Sequence, residues 1–167
     1  MAPILTAGYG YTSAYNSDFP TSGMKAQILE AIAGGARGFG FWGCCPTDAA
    51  DLQQIAETVA MLTPVESLLM EAAPVDDLSD LNGKVLVKGV ASAAGKVVLV
   101  SDYSTQPKTA RVSVGAVTVP MTVTDLATGQ SVGNVTPDNT VFTVTLDKER
   151  VRLFHVAPRT GGVAVAP

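Results

Sequence analysis

Two carboxylates, Asp18 and Asp48, and four ring-bearing side chains, Tyr9, Tyr11, Tyr15 and Trp42, are the residues of this sequence best placed to do chemistry together. They lie at or just beyond the ends of two apolar segments, Ile4–Tyr9 and Arg37–Trp42, that read as short strands. Carboxylates facing each other across a cleft can act as a general acid and as a base or nucleophile, the pairing that cleavage of a glycosidic bond requires. Trp42 offers a plane against which the C–H face of a pyranose packs, and the tyrosines add ring faces and hydroxyls. Each residue also has a plainer role open to it. Trp42 can be a core ring, the tyrosines can hold down the loop they occupy, Asp48 can cap a helix, and Asp18, beside Phe19-Pro20, can serve a turn.

The remaining reactive groups are sparse. Cys44 and Cys45 are adjacent, so they read as free thiols, and His155, the one imidazole, lies far from them in sequence. A cysteine–histidine pair and the usual zinc spacings are both disfavoured, and no metal or cofactor is expected. Glu30 and Glu57 fall mid-helix and read as solvated. The glycines at 34, 35, 38, 40 and 43 do not have the spacing of a phosphate-binding loop.

These groups must be positioned by two dissimilar halves. From Thr21 to about Ala73 the apolar spacing is helical, and from Lys84 to Val156 it alternates with a period of two. The spacing predicts strand Ile4–Tyr9 and a loop over 10–20. It then predicts a helix from Ser22 to Ala33 ended by Gly34-Gly35, and strand Arg37–Trp42. A helix starting near Thr47-Asp48 follows, with a stripe of Leu52, Ile55, Ala56, Val59 and Leu62, and Pro64 opens a further turn. Strand, helix, strand, helix argues for parallel strands. Residues 75–83 read as a polar linker, and 84–157 as an antiparallel β-sandwich. Its expected strands are Lys84–Val90, Lys96–Asp102, Thr109–Val114, Val117–Asp125, Val141–Asp147 and Arg150–Ala157, with a loose tail over 158–167. The turns at 93–95, 127–130 and 147–150 read as joining antiparallel neighbours.

Hydrophobic residues make up 47% of the chain and charged residues 16%, enough apolar surface for a core. A net charge of −4 gives phosphates no basic face, so nucleic acid is not an expected partner. The opening residues lack both a basic stretch and a long apolar run, which reads as no signal peptide and no membrane span, a chain that stays in the cytoplasm.

The run Met24-Lys25-Ala26-Gln27-Ile28-Leu29-Glu30-Ala31-Ile32-Ala33-Gly34-Gly35-Ala36-Arg37-Gly38-Phe39-Gly40-Phe41-Trp42 resembles the closing segment of (β/α)8-barrel glycoside hydrolases. In those enzymes a seventh helix leads through a Gly-Ala-Lys/Arg-Gly step into the eighth strand. The sandwich, ending in Val151-Arg152-Leu153-Phe154-His155-Val156, resembles the compact β domain that follows many such barrels. The resemblance implies an α/β plus all-β fold, in which residues 1–74 form a truncated (β/α)-barrel segment of two β/α units ahead of the sandwich. It further implies hydrolysis of small β-glycosides such as galactosides or glucosides, or a truncated remnant of such an enzyme; Asp18 and Asp48, the carboxylates closest in sequence to the two strand ends, are the candidate catalytic pair, and Tyr9, Tyr11, Tyr15 and Trp42 the candidate carbohydrate contacts. One departure is already visible. After the first strand the sequence runs Gly8-Tyr9-Gly10-Tyr11, where barrel glycosidases of the large retaining clan carry a glutamate, so a non-catalytic carbohydrate-binding or assembly module is the second expectation. Two parallel strands leave open edges, so the chain is expected to form a homo-oligomer, by default a dimer.

Overall fold

In the computed structural model the described residues are 4–6, 23–42, 49–104, 106–148 and 150–159, with backbone alone at 4–6, 41, 42, 50 and 51. Helix α1 (Gly23–Ala33) carries Met24, Ile28, Leu29 and Ile32 at helical spacing, and all four are buried. It stops at its glycines. The Ala36 N–H donates to the Ala31 carbonyl and the Gly35 N–H to that of Ile32, both at 2.9 Å, with Gly35 at φ +92°. That left-handed cap suits a residue without a side chain. A Cβ on Gly35 would also sit 2.7 Å from Pro74 Cγ, so the glycine lets the helix end approach the first sheet strand.

Strands β1 (Ile4–Thr6) and β2 (Gly40–Trp42) pair in parallel, Ile4 opposite Gly40 and Thr6 opposite Trp42, with α1 between them in sequence. Strand β2 is shorter than the expected 37–42 run, and Arg37 instead reaches the Ala72 carbonyl through Nη2 at 3.4 Å. Helix α2 (Ala49–Leu62) passes through a tight turn at Thr63–Val65, with Pro64 in its first positions, into α3 (Glu66–Glu71).

The expected stripe of α2 is corrected. Leu62 is buried and Ile55 half-buried, but Leu52 is 56% and Val59 46% exposed, and Ala56 is exposed too. The inward face is Gln54, Ile55, Thr58, Met61 and Leu62, with Thr58 only 1% exposed. An apolar band this wide fits two surfaces, and the described residues cover one of them.

The chain then forms two antiparallel sheets. One has the order β3 (Ala73–Pro74), β5 (Leu86–Ser92), β6 (Gly95–Ser101), β11 (Val151–Pro158), β8 (Met121–Asp125), β9 (Ser131–Val135). The other has β10 (Val141–Leu146), β7 (Lys108–Ser113), β4 (Ser79–Asp80). Strand β6 is buried on both faces, which explains its unbroken apolar run. Val98 and Val100 face the sandwich core with Val112, Phe142, Val144 and Phe154, while Val97 and Leu99 meet Ile28, Leu29 and Leu68 from the helices. Each such side chain contributes about 1.5–3 kcal/mol on burial. The rings of Phe142 and Phe154 meet edge to face, centroids 5.1 Å apart, and lock the two sheets. The molecule is therefore layered: helices, six-stranded sheet, three-stranded sheet.

Several local expectations change. Residues 75–83 carry β4 and the buried Leu78 rather than a plain connection. The Asp80 carboxylate accepts backbone N–H groups of Asn82 at 3.1 Å, Lys84 at 2.7 Å, Val85 at 3.3 Å and Arg111 at 3.1 Å, which ties this segment to β7. Burial pushes that carboxyl up, and the four bonds outweigh it, leaving its pKa below the ordinary value. Strand β8 starts at Met121 rather than Val117, after Pro120, which has no N–H to donate. Strand β9 was not expected at all, since Gly133 and Asn134 interrupt its alternation. The turns at 93–95 and 127–130 do join hairpins, whereas the turn at 147–150 crosses from one sheet to the other.

Candidate functional site

Thr6 and Trp42 are the last residues of their strands and lie opposite one another. The chain therefore leaves β1 toward residues 7–22 and β2 toward residues 43–48 at the same end of the parallel pair. Tyr9, Tyr11, Tyr15, Asp18 and Asp48 lie outside the described residues, as do Cys44 and Cys45. For Trp42 the backbone pairing is described and the side chain lies outside the description.

Among the described residues, polar chemistry gathers where the helices meet the sandwich. Glu30, expected to be solvated, accepts hydrogen bonds from Ser101 Oγ at 3.2 Å and from the Tyr103 hydroxyl. Partial burial of that hydroxyl, together with Glu30, pushes the Tyr103 pKa up to about 12. Helical spacing puts Glu30 off the apolar stripe, but nothing local announces the loop that comes to meet it.

Asp102, 5% exposed, is the neighbouring charged centre. It accepts from Lys108 Nζ at 2.8 Å, Ser104 Oγ at 2.6 Å, the Ser104 N–H at 3.1 Å and Arg150 Nη1 at 3.4 Å. Burial pushes its carboxyl up, yet the bonds from Lys108 and Ser104 hold it below its ordinary value. On the next strands, Arg152 pairs with Asp125 and lies 5.2 Å from the Phe154 ring centre. These pairs fix the turns that border the helices.

Between α2 and those turns lies a cavity of about 790 Å³. Gln54, Glu57 and Met61 form its helical wall, and Leu126, Lys148 and Arg150 face them from the sandwich. In the sequence the Lys148-Glu149-Arg150 stretch reads only as a turn; the signal missed was that its two cations face a helix carrying Gln54 and Thr58 inward. His155 stands on β11 opposite Val97 and Thr124, half-buried, and burial lowers its pKa. Among the described residues no group of His, Cys, Asp and Glu could hold a metal ion, and no helix is long and apolar enough to cross a membrane.

The fold so described is a mostly antiparallel β unit backed by helices. No protein-family model matches the sequence, and no curated protein matches it. Solved structures do match. The α-amylase of Geobacillus thermoleovorans, solved with acarbose, is 11% identical over 89% of this chain and 36% of its own, with a TM-score of 0.60. A GH30 endoxylanase from Clostridium papyrosolvens C71 is 15% identical over 93% of this chain and 41% of its own, TM-score 0.53. A GH27 β-L-arabinopyranosidase from Geobacillus stearothermophilus is 17% identical over 86% and 31%, TM-score 0.51. At such identities the similarity concerns the fold alone. The chain spans under half the length of these structures.

Proposed function

We propose that the chain is the closing part of a (β/α)-barrel glycosidase, two β/α units over residues 1–74 followed by the sandwich. It hydrolyses small β-glycosides, galactosides or glucosides, once self-association completes the barrel wall. The observation that carries this reading is the parallel pairing of β1 with β2, with Thr6 and Trp42 level. In barrel enzymes the chemistry sits at the carboxyl ends of the strands, and it is from those ends that the segments bearing Asp18 and Asp48 depart. Asp18 and Asp48 serve as acid and as base or nucleophile, and Trp42 with Tyr9, Tyr11 and Tyr15 stacks on the sugar.

Two further features support completion by another copy. Among the described residues β1 and β2 pair only with each other, and an isolated two-stranded sheet is marginal in water. Among the described residues nothing covers the apolar face of α2 at Leu52, Ala56 and Val59. The test is turnover of chromogenic aryl glycosides by the wild type, Asp18→Asn and Asp48→Asn. Loss of either carboxylate lowers kcat by about 100-fold or more; unchanged turnover in both removes the assignment.

A second reading, a non-catalytic carbohydrate-binding or assembly module, is favoured by one observation, the stretch Gly8-Tyr9-Gly10-Tyr11 without a carboxylate after β1. Calorimetry separates the two. Sugar binding that is lost in Trp42→Ala, with no turnover in the wild type, belongs to the second.

A further inference from the structure

We infer that Asn82-Gly83, in the turn that follows β4, is a site of spontaneous deamidation, and that the isoaspartyl product loosens the tie between β4 and β7. Asn82 alone among the asparagines is followed by glycine; Asn16, Asn134 and Asn139 precede serine, valine and threonine. The reaction begins with attack of the next residue's backbone nitrogen on the asparagine side chain, and a side chain on that next residue obstructs it. Stiff, β-branched valine and threonine obstruct it most. Gly83 offers no obstruction: its φ is +63°, and a Cβ placed there would meet nothing within 4 Å. Asn82 and Gly83 are both exposed, so water and base reach them.

Little holds the reacting groups apart. Asn82 Nδ2 reaches the Thr109 carbonyl at 3.5 Å, the outer limit of a hydrogen bond, and the Gly83 N–H donates to the Asp80 carbonyl at 3.0 Å. Such a bond contributes about 1 kcal/mol, so opening it adds little to the barrier of a slow covalent reaction. Asn134 is held more firmly, paired with Thr122 in β9 and accepting Thr122 Oγ1 at 3.3 Å.

Solvent base takes the Gly83 amide proton, the nitrogen bonds to Asn82 Cγ, and the Cγ–Nδ2 bond breaks as ammonia leaves. Water then opens the succinimide. Cleavage between Gly83 N and Cγ gives aspartate; cleavage between Gly83 N and the backbone carbonyl carbon of Asn82 gives isoaspartate, whose main chain runs through the former side chain and is one methylene longer. That methylene falls between the N–H groups of Asn82 and Lys84, which both donate to the Asp80 carboxylate, and either product sets a new carboxylate two residues from it. Asp80 also accepts the backbone N–H of Arg111 on β7, so a distorted turn weakens the pairing of β4 with β7.

The experiment holds the full chain at mildly alkaline pH, follows it by peptide mass mapping, and separates the aged protein from the fresh by anion exchange through its added charge. The peptide bearing Asn82 gains about 1 Da, about tenfold or more faster than those bearing Asn134 and Asn139, and contains isoaspartate. The aged protein unfolds at lower urea than the fresh, whereas Asn82→Gln kept under the same conditions retains its starting midpoint. No gain at Asn82, or one no faster than at Asn134 and Asn139, overturns the modification site. A gain with an unchanged urea midpoint, or a midpoint that falls equally in Asn82→Gln, overturns the loosening.

Discussion

The Tyr103 hydroxyl donates to the Glu30 carboxylate, joining a loop of the sandwich to helix α1 across 73 positions of sequence. Ser101 adds a second donor to the same carboxylate. The helical layer is thus fastened to the six-stranded sheet by directional bonds as well as by apolar packing. In Glu30→Gln the charge is lost and the fold weakens by about 1 kcal/mol, read from urea unfolding.

The same contact sets an alkaline limit. The folded pKa of Tyr103 is raised from 10.0 to about 12, so its contribution to stability is complete below pH 10 and is lost as pH rises through the folded value. The exposed ring keeps the effect modest. Spectrophotometric titration should show one tyrosine ionising late in the wild type and earlier in Glu30→Gln; an unchanged titration would contradict the link.

Asp102 predicts the opposite end of the pH range. Its folded pKa is lowered, so its stabilisation is present above the ordinary carboxylate range and disappears as pH falls through the folded value. Asp102→Asn leaves Lys108 and Arg150 facing each other without their counter-charge and costs about 3 kcal/mol. Chemical unfolding at neutral pH measures this. A cost near zero would mean that solvent already compensates the cations.

Gly35→Ala tests the helix cap. The substitution meets a positive φ and the Pro74 ring together, and a loss of about 2 kcal/mol in thermal or urea unfolding is expected. Gly129→Ala, with a positive φ but open space around it, should cost less.

The exposed face of α2 predicts association. Leu52→Asp combined with Val59→Asp removes apolar surface that the described residues do not cover, so it should lower the sedimenting mass while leaving the unfolding free energy of the monomer within about 0.5 kcal/mol of the wild type. A mass unaffected by the double change would mean that this face is not an interface.

What the sequence disclosed follows physical range. Helix α1, its glycine stop, the turn at Pro64 and the buried alternation of β6 are set by neighbours a few residues apart, and local spacing reveals them. The short strands β3, β4 and β9 lie at sheet edges with little apolar pattern: β4 forms because Asp80 and Leu78 find partners far along the chain, β3 pairs with β5, and β9 closes a hairpin on β8. The outward turn of Leu52 and Val59 has the same origin, because a stripe says only that a face is apolar and not which part of it is met. Glu30 and the cavity between α2 and Arg150 depend on two layers meeting, and no segment carries that information alone. Asp18, Asp48 and the three tyrosines were legible only as residue types near strand ends.

The central claim is that strand-end carboxylates cleave glycosides within a completed wall. Sedimentation coupled to turnover of aryl β-galactosides and β-glucosides tests it in one measurement: wild type, Asp18→Asn and Asp48→Asn are fractionated by mass and each fraction is assayed. The account predicts turnover in the assembled wild-type fraction and a loss of about 100-fold in both variants at the same mass. Turnover residing in the monomer, or undiminished in both variants, would contradict it.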